Sequence, residues 1–209
     1  MNIAVIPARS GSKGIPNKNI IDFMGKPLIY WSILSAKSSK CIDRVFVSTD
    51  SKEIAILAEN FGAEVLNRPE SLSQDDTKTI EVLKYHSQFL NEYENFFVLQ
   101  PTSPLRKKNL IDDCYKSYVQ SESSNLATGY RCKQIEFGTH LNERRQEIKG
   151  FFYDDGSLYI LPKRLVDVGS WNGSNPKLYI NEKQFTYEID DKIDLTILKH
   201  LFKNYQNDV

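Results

Sequence analysis

The chain has 209 residues, with 27 Lys and Arg against 27 Asp and Glu, a length that suits one α/β domain with a substantial core. That balance lacks the basic excess that neutralises a nucleic acid backbone, so no nucleic acid partner is expected, although a local cationic loop can still hold a small anion. Cys41, Cys114 and Cys132 are scattered without Cys-x-x-Cys spacing, which fits neither a disulfide framework nor a structural zinc site and points to a reducing cytoplasm.

Met1 to Pro7 lacks the basic region, apolar core and cleavage site of a signal peptide, and no apolar run reaches membrane-spanning length, so no membrane association is expected. Ile3 to Ile6 is a short apolar run that predicts a buried strand. It runs into the polar, Gly-bearing segment Ala8 to Asn19. Leu28 to Ala36 predicts a helix and Arg44 to Ser48 a second strand, making one βαβ unit. Asp50, with Glu53 three positions later, predicts a helix cap, and Gly62 a helix stop. Glu64 to Leu66 follows as a third strand, Thr79 to Leu90 as a helix, and Phe96 to Leu99 as a strand buried on both faces. Such alternation implies a three-layer α/β fold, a mainly parallel twisted sheet with helices on both faces and a ligand crevice at the strands' carboxyl ends. Beyond Lys107 the pattern loosens: a helix to about Tyr118, a strand Leu126 to Tyr130, a charged segment Gln134 to Lys149, strands at Gly156 to Leu161 and Lys177 to Ile180, and a closing helix Ile193 to Phe202. No linker or repeat divides residues 1–209, which read as one domain.

Ala8 to Asn19 packs Arg9, Lys13 and Lys18, two glycines and two serines into a dozen residues directly after a strand. Glycines let backbone N–H groups turn inward, and the cations partner phosphate oxygens, so the segment reads as an anion site. It has neither Walker A spacing nor the Gly-x-Gly-x-x-Gly pattern of dinucleotide folds.

The same segment, Ala8-Arg9-Ser10-Gly11-Ser12-Lys13-Gly14-Ile15-Pro16, continued by Lys18-Asn19 and by Gly25-Lys26-Pro27-Leu28, resembles the opening of the CMP-sialic acid synthetases. Val47-Ser48-Thr49-Asp50, Arg68-Pro69, Leu99-Gln100-Pro101-Thr102-Ser103-Pro104-Leu105-Arg106, and Glu188-Ile189-Asp190 with Asp194-Leu195 follow in the family's order. The resemblance covers nearly the whole chain. It implies a Rossmann-like nucleotidyltransferase that transfers CMP from CTP to the anomeric hydroxyl of a sialic-type sugar acid and releases pyrophosphate. Arg9, Ser12, Lys13, Lys18 and Asn19 would hold the triphosphate, with Arg9 and Lys18 nearest the reacting α-phosphate. Arg68 and Thr79 would read the base, and Gln100, Arg145 and Tyr159 the sugar. Asp190 and Glu188 would bind Mg2+; on an extended strand two residues apart they would face one side. An excursion at about residues 121–150 would build a dimer partner's active-site edge, so a homodimer is expected.

The sugar segment departs most from the family. Lys149 replaces a proline, Asp155 an asparagine, Tyr153 an arginine, and Glu188 an aspartate. One cation is lost and one acid gained, so the acid activated can differ from N-acetylneuraminate; legionaminic and pseudaminic acids are the rivals, and the eight-carbon keto-deoxy-octonate is less well matched. Arg131, Lys133 and Arg144 are candidates to compensate. A reading of another class is a scaffold that binds CTP without chemistry. His86, His140 and His200 lie in no recognisable nucleophile context.

Overall fold

The computed structural model describes residues 1–139 and 144–208, without the side chain of Gln206. The middle of the charged segment, including His140, and so part of the expected 121–150 excursion, lie outside the described residues.

β1 (Asn2–Pro7), β4 (Arg44–Thr49), β5 (Glu64–Asn67) and β6 (Asn95–Val98) pair in parallel. β8 (Phe151–Pro162) runs antiparallel between β6 and β7 (Asn125–Cys132), and β9 (Pro176–Ile180) is parallel to β7. The sheet order is β5-β4-β1-β6-β8-β7-β9, with a separate two-stranded ribbon of β2 (Asp22–Phe23) and β3 (Lys26–Pro27). Successive strands go to one side of β1 and then, with β6, to the other. Their carboxyl ends diverge between β1 and β6, which opens the ligand crevice of a doubly wound sheet.

The alternating side chains of the strands feed two cores. On one face Ala4, Ile6, Val47 and Phe97 pack against α1 (Leu28–Ser38), α2 (Lys52–Asn60) and α4 (Leu110–Val119) through Ile33, Ile54 and Ile111. On the other, Ile3, Val5, Phe96 and Val98 meet α3 (Thr79–Ser87) and α5 (Lys163–Val168) through Leu83 and Val166. Each such side chain contributes about 1.5–3 kcal/mol on burial. A third cluster seats α6 (Lys192–Tyr205) through Leu198 and Phe202 on Phe23, Leu28 and Ile189, so the closing helix fastens the segment Glu188-Ile189-Asp190 onto the body. No helix among the described residues is long and apolar enough to cross a membrane.

The structure differs from the pattern reading in three places. α2 is capped by Ser51, whose Oγ accepts from Ile54 N at 3.3 Å. Asp50 is drawn away because its carboxylate accepts from the Ser10 amide (2.9 Å) and hydroxyl (2.7 Å). Residues 186–189 are irregular rather than strand, since Ile189 N donates to Thr102 O across the sheet's end. Finally, the strand predicted from Gly156 is the second half of a longer one. β8 begins at Phe151 and passes Asp155-Gly156-Ser157 with a register break opposite Ala127 and Gly129.

Candidate active site

The loop after β1 is held from three sides. Asp50 takes Ser10, Asn19 Nδ2 donates to Arg9 O at 3.0 Å, and Lys18 Nζ donates to Ile189 O (2.8 Å) and Asp190 Oδ1 (3.2 Å). The hydrogen bonds from Ser10 outweigh burial and hold the Asp50 carboxyl below its usual range. A side chain on Gly14 would put its Cβ 2.3 Å from Asp190 O, so only glycine lets the loop approach that segment.

Arg9, Ser12, Lys13, Lys18 and Asn19 line a crevice of about 450 Å³ together with Arg68, Thr79, Gln100 and Asp190. The structure thus brings nine of the expected residues to one place at the β1–β6 divergence. Arg9 and Lys13 are not loose charges there. Arg9 Nη2 meets Asp75 Oδ1 at 2.5 Å and Lys13 Nζ meets Asp75 Oδ2 at 2.8 Å, which holds the Asp75 carboxyl below the ordinary carboxylate range. Arg68 is buried and donates Nε to Leu72 O at 2.6 Å. Behind it His86 is buried with Nε2 2.8 Å from Ser48 Oγ; burial first, and the Arg68 charge second, push its pKa down to about 4. The ring is therefore neutral near pH 7 and adds no repulsion to Arg68.

Arg106 lies beneath the crevice floor rather than in it. It is 1% exposed and donates to Gln100 O (2.5 Å), Ser157 O (2.8 Å) and Ser32 Oγ (2.9 Å). Burial pulls its pKa to about 9, opposed by Asp155 and Glu188. The guanidinium ties the exit of β6, the turn of β8 and helix α1 into one block under Gln100.

A second crevice of about 440 Å³ opens beside the first, between the β7–β8 ribbon, β9 and Trp171. Tyr159 lines it, with its ring 4.7 Å from that of Trp171 and its hydroxyl donating to Asp154 Oδ1. Glu188 lines this crevice and Asp190 the other. With Ile189 fully buried between them and bonded at both N and O, the segment 188–190 is the wall that the crevices share. The two carboxylates therefore do not face one side as an extended strand would place them, because that segment is not strand. They remain close: burial first, then Asp190, Asp154 and Asp155, push Glu188 up to about 7.

Arg145 is not brought to Gln100 or Tyr159. It lines depressions with Lys133 and Gln134, since β7 and β8 continue as a ribbon past the crevice and residue 145 lies beyond their tips. Asp155 does not face a sugar pocket either. It is fully buried in the β8 turn, accepting from Thr128 Oγ1 (2.6 Å), Asn181 Nδ2 (2.7 Å) and Ser157 N (3.0 Å). Arg131, Lys133 and Arg144 line neither crevice. The sequence reading did not single out Thr77 and Thr102 in the first crevice, or Asp154 and Trp171 in the second. Trp171 had a signal, a large aromatic set in Gly169-Ser170-Trp171-Asn172-Gly173, where a turn exposes a ring.

A family model described as cytidylyltransferase matches residues 3–206. The chain is 32% identical over 219 residues to an N-acylneuraminate cytidylyltransferase of Escherichia coli O18:K1:H7, covering 93% of this chain and 50% of that protein. It is 31% identical to a pseudaminic acid cytidylyltransferase of Campylobacter jejuni serotype O:23/36, covering 97% of this chain and 96% of that protein. The chain thus spans about half the length of several curated relatives it matches and nearly all of others. Among solved structures, CMP:2-keto-3-deoxy-manno-octonic acid synthetase complexed with CTP superposes with a TM-score of 0.78 at 14% identity, covering 97% of this chain and 98% of that one, which speaks for the fold alone. With the model spanning both crevices and the relatives agreeing along the whole sheet, the chain belongs to the cytidylyltransferase family, among the CMP-sialic acid synthetases.

Proposed function

We propose that the chain transfers CMP from CTP to the anomeric hydroxyl of a nonulosonic acid. The observation that carries this reading is the pair of crevices divided by a single wall, one lined by Arg9, Lys13, Lys18 and Arg68, the other by aromatic rings and carboxylates. A nucleoside triphosphate matches the first in charge. Arg9, Ser12, Lys13, Lys18 and Asn19 hold its phosphates, with Arg9 and Lys18 nearest the α-phosphate, and Arg68 and Thr79 read the base. Gln100, at the carboxyl end of β6, and Tyr159 contact the sugar.

The anomeric oxygen attacks the α-phosphorus, the bond from that phosphorus to the bridging oxygen breaks, and pyrophosphate leaves. The hydroxyl proton passes to water or a phosphate oxygen. Positioning and charge stabilisation dominate such a transfer, so Arg9 and Lys18 act by meeting the charge that builds on the α-phosphate and the leaving group. Lys18 is held in the phosphate crevice by two bonds to the wall.

Asp190 suits Mg2+. It offers a carboxylate with 82% of its side chain exposed in the phosphate crevice, and magnesium takes one or two carboxylates plus phosphate and water rather than an all-protein cage. Among the described residues no group of three or more His, Cys, Asp or Glu could form such a cage, which accords with an ion that arrives with the nucleotide. When bound, the ion supplies charge neutralisation at the phosphate oxygens. Glu188 lines the other crevice, so Asp190 would hold the ion without direct help from it. The chain acts as a homodimer, a reading supported by the exposed Leu178 and Ile180 on one face of the edge strand β9.

The test is pyrophosphate release from CTP and Mg2+ with N-acetylneuraminate, legionaminate, pseudaminate and keto-deoxy-octonate supplied separately. Release with one of the nine-carbon acids is the expected outcome. CTP binding without release from any acid would favour the scaffold reading.

A further inference from the structure

The second crevice joins apolar walls to carboxylates that have unused capacity. Trp171, Tyr159, Phe152 and Leu178 give it rings and a branched aliphatic side chain, and no Lys or Arg among the described residues lines it. Asp154 Oδ1 accepts from the Tyr159 hydroxyl and from Gly156 N at 3.3 Å. Among the described residues nothing donates to its Oδ2, or to either oxygen of the half-buried Glu188. Asp154 is exposed, but Glu188 is partly desolvated with no donor, which is costly unless a ligand supplies one.

The chemistry of the acceptor fixes which end enters. A nonulosonic acid carries its carboxylate on the same carbon as the attacking hydroxyl, so the anion stays with the reacting centre, at the shared wall beside Lys18 and Gln100. The remote arm is what reaches Asp154, Glu188 and the rings.

We infer that this crevice selects an acid whose remote arm bears a cationic nitrogen, an amidine or amine, over one bearing a neutral amide at the same carbon. This rests on the sugar-acid reading above. An amidinium presents N–H donors in a plane and a full charge, which suits the two carboxylates that line the crevice through charge-assisted bonds. Its methyl group suits the aliphatic wall, and the Trp171 and Tyr159 faces attract the cation. An acetamide of the same shape supplies one N–H and turns a carbonyl oxygen toward carboxylates. The replacement of the family's arginine by Tyr153 on the rim of the crevice removes the charge that would oppose a cation there.

The experiment compares a 5,7-diacetamido nonulosonic acid with its 7-acetimidoyl counterpart, which differ only in C=O against C=NH2+. Dissociation constants are read by calorimetry without CTP, and pyrophosphate release is read with CTP and Mg2+. The wild-type chain is expected to bind the amidine about tenfold more tightly. Asp154→Asn and, separately, Glu188→Gln should each bring the ratio toward one, while Asp154→Glu keeps it; melting curves establish that each variant is folded. Equal or weaker binding of the amidine, a ratio indifferent to both neutral variants, or no binding of either acid overturns the inference. Amidine preference in calorimetry without pyrophosphate release from either acid leaves the crevice assignment standing and sinks the transfer reading. Release from the acetamide at a kcat/KM at least equal to that from the amidine does the reverse.

Discussion

Asp75 sits where two of the loop's cations converge, accepting from Arg9 and Lys13 at once. A triphosphate reaching those cations has to displace it. Exposed ion pairs are weak, so the exchange favours phosphate, but it still opposes binding. Asp75→Asn is therefore expected to lower the KM for CTP about two- to fivefold with kcat little changed; initial rates at varied CTP decide it, and a raised KM would mean that Asp75 orients Arg9 rather than competes for it. That Arg9, Lys13 and Lys18 would come to one crevice was legible in the sequence because charge and glycine cluster in a dozen residues. Which charges face a ligand was not. Asp155 read as an acid facing the sugar, yet it and Arg106 are both buried, because their partners, polar groups at Thr128 and Asn181 and carbonyls at Gln100 and Ser157, come from distant elements. Burial of a charge depends on contacts that no local pattern encodes.

Among the elements, the loop from Ala8 to Asn19 and the wall at 188–190 depend on one another through the contact of Gly14 with Asp190 O. Gly14→Ala should push the loop off the wall and, with it, Lys18 from Ile189 O. A misplacement of about 1 Å costs roughly 100-fold in rate. The expected outcome is a kcat lowered by tenfold or more, a melting temperature shifted by only a few degrees, and CTP binding largely retained; unchanged kcat would show that the loop adjusts freely. Seven segments of the first hundred residues, β1, α1, β4, α2, β5, α3 and β6, were readable from the sequence, helped by the continuous apolar runs of β1, β4 and β6, which are buried on both faces. The short ribbon of β2 and β3, and α5, escaped notice, being two residues per strand and six residues long. The full extent of β8 was hidden because Phe151 to Asp154 is largely exposed and Asp154-Asp155-Gly156 reads as a turn in mid-strand.

For the molecule as a whole, Leu178 and Ile180 leave exposed apolar side chains on one face of the edge strand β9, and paired burial of such side chains is the usual basis of a two-fold dimer. Light scattering should give twice the 24.1 kDa mass of the chain, and Leu178→Glu with Ile180→Glu should return it to the monomer. A monomer for the unaltered chain would remove this surface from the account.

The reversal of β8 within an otherwise parallel sheet has a consequence for how such a molecule can change over time. Residues that line the first crevice come mainly from the first hundred positions, whereas the walls of the second come from the ribbon, β9 and Trp171. Because β8 enters from the ribbon's tip and leaves through the core, its outer half accumulates substitutions without disturbing the strand that supports Gln100. On the proposed reading, donor and acceptor recognition lie on separate stretches of chain, so a change in the acceptor site need not touch the donor site.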